Sequence, residues 1–101
     1  MKSIIGGKLY DTKTAVFVGS YQYSYPNDFE YYYEALYRKK NGEYFLYGKG
    51  GCRSCYSKSV SSNSCSGGEE IIPMDLEEAK EWAEAKLDTD DYIKEFGEPA
   101  E

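Results

Sequence analysis

Along this chain the spacing of apolar and polar residues follows a strand-like rhythm for two thirds of its length and a helical one at the end. Residues 8–12 (KLYDT) and 14–25 (TAVFVGSYQYSY) are rich in β-branched and aromatic side chains, the composition of short strands. Alternation along the second run predicts one face with Ala15, Phe17, Gly19, Tyr21, Tyr23 and Tyr25 and another with Val16 and Val18. Pro26, Asn27 and Asp28 end that run as a turn. Residues 29–40 and 43–49 then flank Asn41-Gly42, the strongest short hairpin signal, because both central residues of a type I′ turn need φ > 0. With that pair as the loop, Lys40 opposes Glu43, Arg38 opposes Phe45 and Leu36 opposes Tyr47. Tyr33, Ala35, Tyr37 and Lys39 then share the other face with Tyr44, Leu46 and Gly48. Residues 31–37 also fit a helix, but three adjacent tyrosines leading into a hairpin turn favour a strand. A lone two-stranded ribbon is marginal in water, so this one needs a cover.

Between residues 50 and 68 the pattern is lost. GGCRSCYSKSVSSNSCSGG holds six serines in the eleven positions from Ser54 to Ser64, with a glycine pair at each end. It reads as a long exposed connection with a short strand at 56–60. Residues 69–74 (EEIIPM) form a further strand that Pro73 ends or confines to an edge. At Asp75 the period changes. Asp75 can cap a helix, and Glu78 three residues on completes a capping box, with acids in the first turn. Leu76, Ala79, Ala83 and Leu87, with Trp82 alongside, make an apolar stripe. A second short helix begins near Asp88 or Thr89, runs through Tyr92, Ile93 and Phe96, and stops at Gly97 before Pro99. The predicted fold is α+β: an antiparallel sheet of four to five strands with a C-terminal helical segment packed on one face.

At 101 residues the chain has room for a single domain, residues 1–101, and one modest core. No apolar run approaches a bilayer span, and MKSIIGGKLYD lacks a signal-peptide core, so a cytoplasmic protein is expected. The net charge of −6 argues against direct nucleic-acid binding and against docking on anionic lipid. That charge is uneven. Residues 1–74 hold nine Lys/Arg and seven Asp/Glu, whereas residues 75–101 hold three Lys and eleven Asp/Glu. The twelve tyrosines serve either to cover a small sheet that has little leucine or to supply rigid amphipathic contacts at a binding surface.

The chain has no histidine, which removes the commonest general base and metal ligand and rules out a Ser–His or Cys–His nucleophile within it. Its glycine pairs match no phosphate-binding loop. No catalytic residue and no cofactor are expected. Cys52, Cys55 and Cys65 are spaced C-x2-C-x9-C. Three readings stay open: a zinc half-site completed by Glu69, Glu70, water or another chain; a redox disulfide; or three free thiols. The carboxylates of residues 75–97 are either a solvated helix face or a surface that imitates nucleic-acid phosphate and fills a basic channel on a partner. On the second reading Asp75, Glu77, Glu78, Glu81, Glu84, Asp88, Asp90, Asp91 and Glu95 carry the binding.

KLYDTKTA near the start, YYYEALYRKKNGEYFLYGKGG in the middle and EEIIPMDLEEAKEWAEAKLDTDDYIKEFG at the end resemble a family of small acidic proteins from phages, plasmids and integrative elements of Gram-positive bacteria. The resemblance spans the chain apart from the Ser-rich loop, whose cysteines members of that family usually lack. Its mobile-element setting implies an anti-CRISPR role: a non-enzymatic inhibitor of a host defence nuclease, a type II Cas9 effector above all, in the bacterial cytoplasm. The alternative is a structural or regulatory accessory protein of the element, acting by self-association as a homo-oligomer or by binding a partner.

Overall fold

The computed structural model describes residues 1–24, 31–50, 58–61, 64–66 and 68–98. The expected turn at Pro26, Asn27 and Asp28, and Tyr25 before it, lie outside the described residues. The chain opens with a hairpin of β1 (Lys2–Ile5) and β2 (Lys8–Asp11), with Ile5 paired to Lys8. Gly6 and Gly7 both have positive φ, +59° and +79°, as a two-residue type I′ loop requires. Next come β3 (Val16–Tyr23), β4 (Tyr32–Arg38) and β5 (Tyr44–Gly50). After the two-stranded β6 (Lys58–Ser61) and β7 (Ser64–Ser66) come β8 (Gly68–Met74), α1 (Leu76–Lys86) and α2 (Thr89–Phe96). The central sheet is antiparallel in the order β3-β4-β5-β8, with the helices on one face, so the fold is α+β. Pro73 belongs to β8, an edge strand, where a missing N–H need not break an inner ladder.

The central hairpin does form, but one residue out of the expected register. Gly42 N donates to Lys39 O at 2.9 Å and Lys39 N to Glu43 O at 2.7 Å. Gly42 has φ +93°, whereas Asn41 keeps an ordinary φ. The loop is therefore Lys40-Asn41-Gly42, a three-residue turn with glycine in the left-handed position. The Asn41 side chain supports it by accepting from Glu43 N at 3.0 Å. Arg38 consequently pairs with Tyr44, Tyr37 with Phe45 and Leu36 with Leu46, in place of the expected Arg38–Phe45 and Leu36–Tyr47. Because side chains alternate along a strand, that single step exchanges the faces. Tyr44, Leu46 and Gly48 lie beside Arg38, Leu36 and Glu34, not beside Tyr37, Ala35 and Tyr33.

A bulge in β3 changes its facing too. Phe17 pairs with Tyr37, yet Gly19 pairs with Leu36, leaving Val18 as the extra residue. Phe17 therefore shares the Tyr37 face, while Gly19 and Tyr21 share the Leu36 face, contrary to simple alternation. Two clusters form the core, one on each face. Under the helices lie Leu36, Tyr44 and Leu46 with Ala79, Trp82 and Ala83. Under the β1–β2 hairpin lie Tyr10, Phe45 and Ile71, flanked by Ile5, Ala15, Tyr37 and Tyr47.

Asp75 caps α1 as its sequence predicts: its carboxylate accepts from Glu78 N at 2.8 Å, and Glu78 accepts from Asp75 N at 3.1 Å. Asp88 caps α2 through Asp91 N, and Gly97, at φ +82°, donates to Ile93 O. The apolar stripe of α1 starts later than expected. Leu76 is 49% exposed, and the helix docks through Ala79, Trp82 and Ala83 in its later turns.

Candidate functional site: the acidic helical face

The two helices are fastened to the sheet by directional polar contacts. Trp82 Nε1 donates to Glu34 Oε1 at 3.0 Å, so a nearly buried indole keeps its N–H satisfied. Glu95 turns inward from α2, accepting from the Arg38 guanidinium and, at 2.7 Å, from the Tyr44 hydroxyl. Burial, then the Glu95 hydrogen bond, pushes the Tyr44 hydroxyl up to about 12. Its hydrogen bond and charge interaction with Glu95 raise Arg38 further above its already high range. Lys86 near the end of α1 lies 4.5 Å from the Tyr21 ring centroid and donates to Tyr32 Oη at 3.4 Å; that hydrogen bond raises its ammonium pKa.

These anchors decide which of the nine expected carboxylates face solvent. Asp75, Glu77, Glu78, Glu81, Glu84, Asp88, Asp90 and Asp91 are exposed. Three of them also cap helices: Asp75, Glu78 and Asp88. Glu95 is the exception, with its side chain only 10% exposed and its carboxylate committed to Arg38 and Tyr44. Sequence reasoning placed it among the solvated acids because nothing local marks the distant Arg38 as its partner.

The chain order also hid a cleft where α1 meets α2. Ala83, Leu87, Tyr92 and Ile93 line it, with Glu84 and Asp88 among its polar residues, and its volume is about 270 Å³. Leu87 reaches this region because Gly19 beneath it has no side chain; a Cβ there would come within 2.6 Å of Leu87 Cδ2. Apolar residues at positions 83, 87 and 93 signal helix packing, but only the way the helices meet leaves Leu87 and Ile93 partly uncovered while Ala83 is buried.

Among the described residues no three of His, Cys, Asp and Glu come together as metal ligands. Cys52 and Cys55 lie outside the described residues, and of Cys65 only the backbone, opposite Ser59, belongs to them. No described helix is long and apolar enough to cross a membrane. No protein family, curated protein or solved structure matches this chain.

Proposed function

We propose that this chain is a non-enzymatic inhibitory binding protein of a mobile genetic element, whose helical face occupies a nucleic-acid-binding surface on a host defence nuclease. The resemblance read in the sequence makes Cas9 the leading partner. One observation carries the reading: eight of the nine carboxylates singled out from the sequence are exposed, on helices that internal contacts hold in place. Such a surface steers association toward a basic channel, and its binding weakens as salt screens the charge. Steric occupation requires no catalytic group.

The test is a DNA-cleavage assay with guide-loaded Cas9, run with wild type and with Glu77, Glu81 and Glu84 reversed to lysine. Inhibition by the wild type that the triple variant loses supports the reading; equal inhibition by both sinks the acidic face as the contact. Pull-downs with and without target DNA then separate competition for the DNA site, in which binding is lost on DNA loading, from conformational blockade, in which it persists. The accessory-protein alternative is favoured by an apolar pair on the far side of the molecule, Ile4 and Leu9, 75% and 55% exposed.

A further inference from the structure

The two ends of this molecule are complementary. On the outer face of the β1–β2 hairpin Ile4 and Leu9 form a cross-strand pair, and both are largely exposed. Their inward neighbours, Ile5 and Tyr10, are the residues that pack on the sheet, so the outward pair contributes little to the core. The surroundings are basic. Lys2 lies two positions along the same face, opposite Asp11, and Leu9, Lys39 and Lys40 line one surface depression with Asp11, so the lysines around the pair outnumber its carboxylates. Lys8 is neutralised by Glu43 at 2.8 Å, but Lys2, Lys13 and Lys40 make no ion pair among the described residues. Across the sheet lies the cleft of Ala83, Leu87, Tyr92 and Ile93, open to solvent and edged by Glu84 and Asp88. One surface is an apolar corner among lysines, and the other is an apolar hollow among carboxylates.

We propose that the α1–α2 cleft receives the Ile4–Leu9 corner of a second copy of this chain, with Lys2, Lys13 and Lys40 of one copy facing the acidic rim on the next. Burial of aliphatic side chains on both sides and attraction between the opposite charges drive the contact together, so neither suffices alone. The two surfaces lie on opposite faces of the sheet, so the contact is head-to-tail. A dimer keeps one corner and one cleft free, so the contact adds further copies, as an open chain or a closed ring, rather than stopping at two. This inference does not rest on the nuclease-inhibitor reading, but the cleft shares Glu84 and Asp88 with the acidic face proposed for the nuclease, so a second copy and a nuclease compete for it.

Sedimentation velocity over a concentration series tests it. At roughly 50 mM salt the average mass rises with protein concentration, and at about 0.5 M salt it returns toward the monomer as the charges are screened. Leu9→Asp and Glu84→Lys, both at exposed positions, each weaken self-association at least about tenfold, with circular dichroism confirming that the fold is kept. The decisive arm mixes the two variants in equal amounts. Leu9→Asp keeps its cleft and Glu84→Lys keeps its corner, so the mixture forms a species of two copies and nothing larger. A wild type that stays monomeric at low salt up to about 1 mM overturns the proposal, as does an associating wild type whose two variants fail to complement each other. Leu9→Asp keeps every carboxylate of the acidic face, so it still inhibits the nuclease at least as well as wild type if the inhibitor reading holds, and the two readings fail separately.

Discussion

On the helix face of the sheet, the buried Tyr44 and Trp82 donate hydrogen bonds to carboxylates; on the hairpin face the buried Tyr10 and Phe45 hold by ring packing. Tyr47 on the hairpin face donates to Glu69 at 2.6 Å, but it is only half-buried. Tyr44 and Trp82 each send a polar atom to a carboxylate, at 2.7 and 3.0 Å. Behind the same strands, Tyr10 meets Phe45 edge-on at 5.5 Å, Phe45 stacks on Tyr37 at 5.4 Å, and Phe17 meets Tyr37 edge-on at 5.8 Å. The difference matters for function. Directional bonds fix how α1 and α2 lie, and thereby where the acidic surface and the cleft face. Ring packing holds the small hairpin down with less directional constraint, which suffices for an element whose outward side is a short apolar corner.

Removing the central ring of the stack is the severest way to break this contrast. Phe45 is fully buried, and Phe45→Ala is expected to cost about 3–5 kcal/mol in chemical denaturation. That loss should detach the hairpin. A second disruption strikes the helix side by steric means. Gly19→Val places methyl groups where Leu87 now lies, at an expected cost of about 1–3 kcal/mol. Leu87 is half-buried and can swing outward, so fluorescence of Trp82 should report a shifted helix even if the fold survives.

The polar anchors predict a smaller and pH-dependent effect. Tyr44→Phe removes one hydrogen bond to a carboxylate and should cost about 1.5 kcal/mol at neutral pH. The sign with pH follows from the shift: Tyr44 is harder to ionise when folded than its ordinary value of 10.0, reaching about 12. Its stabilising contribution is therefore complete below pH 10 and is lost as pH rises through about 12. Tyr37 and Tyr47 are raised as well, chiefly by burial, so they add to the same alkaline loss. Denaturant midpoints measured across that window should fall for the wild type and fall less for Tyr44→Phe. The smallest effect belongs to the exposed Lys8–Glu43 pair on the hairpin side, where Lys8→Met should leave the denaturation midpoint unchanged within error.

Much of the helical segment was legible from local sequence. Asp75, Glu78, Asp88 and Gly97 all act within one turn of themselves, and their neighbours are enough to specify a cap or a stop. The strand segments were legible for the same reason, from β-branched and aromatic runs, though β1 escaped notice because Ile4 and Ile5 are its only apolar residues. The facing of those strands was harder. Asn41-Gly42 supports both a two- and a three-residue loop, and the two differ by one step of register. The fold chooses the longer loop, which sets Leu36 beside Leu46 under the helices and leaves Phe45 for Tyr10 and Tyr37. The bulge at Val18 likewise has no local sign beyond the glycine that follows it.

What the sequence determined by itself, then, was the strands of the central sheet and the two helices, their order, the α+β class and the concentration of carboxylates after residue 74, because each of these rests on interactions between residues close along the chain. Only the tertiary structure decided register, facing and the fate of individual charges. Glu95 spans 57 positions to reach Arg38, and Trp82 spans 48 to reach Glu34. Those pairings exist because burial on a shared face brings distant residues together and then requires every polar atom there to find a partner. The cleft between the helices and the Ile4–Leu9 corner arise in the same way, as the surfaces that packing leaves uncovered.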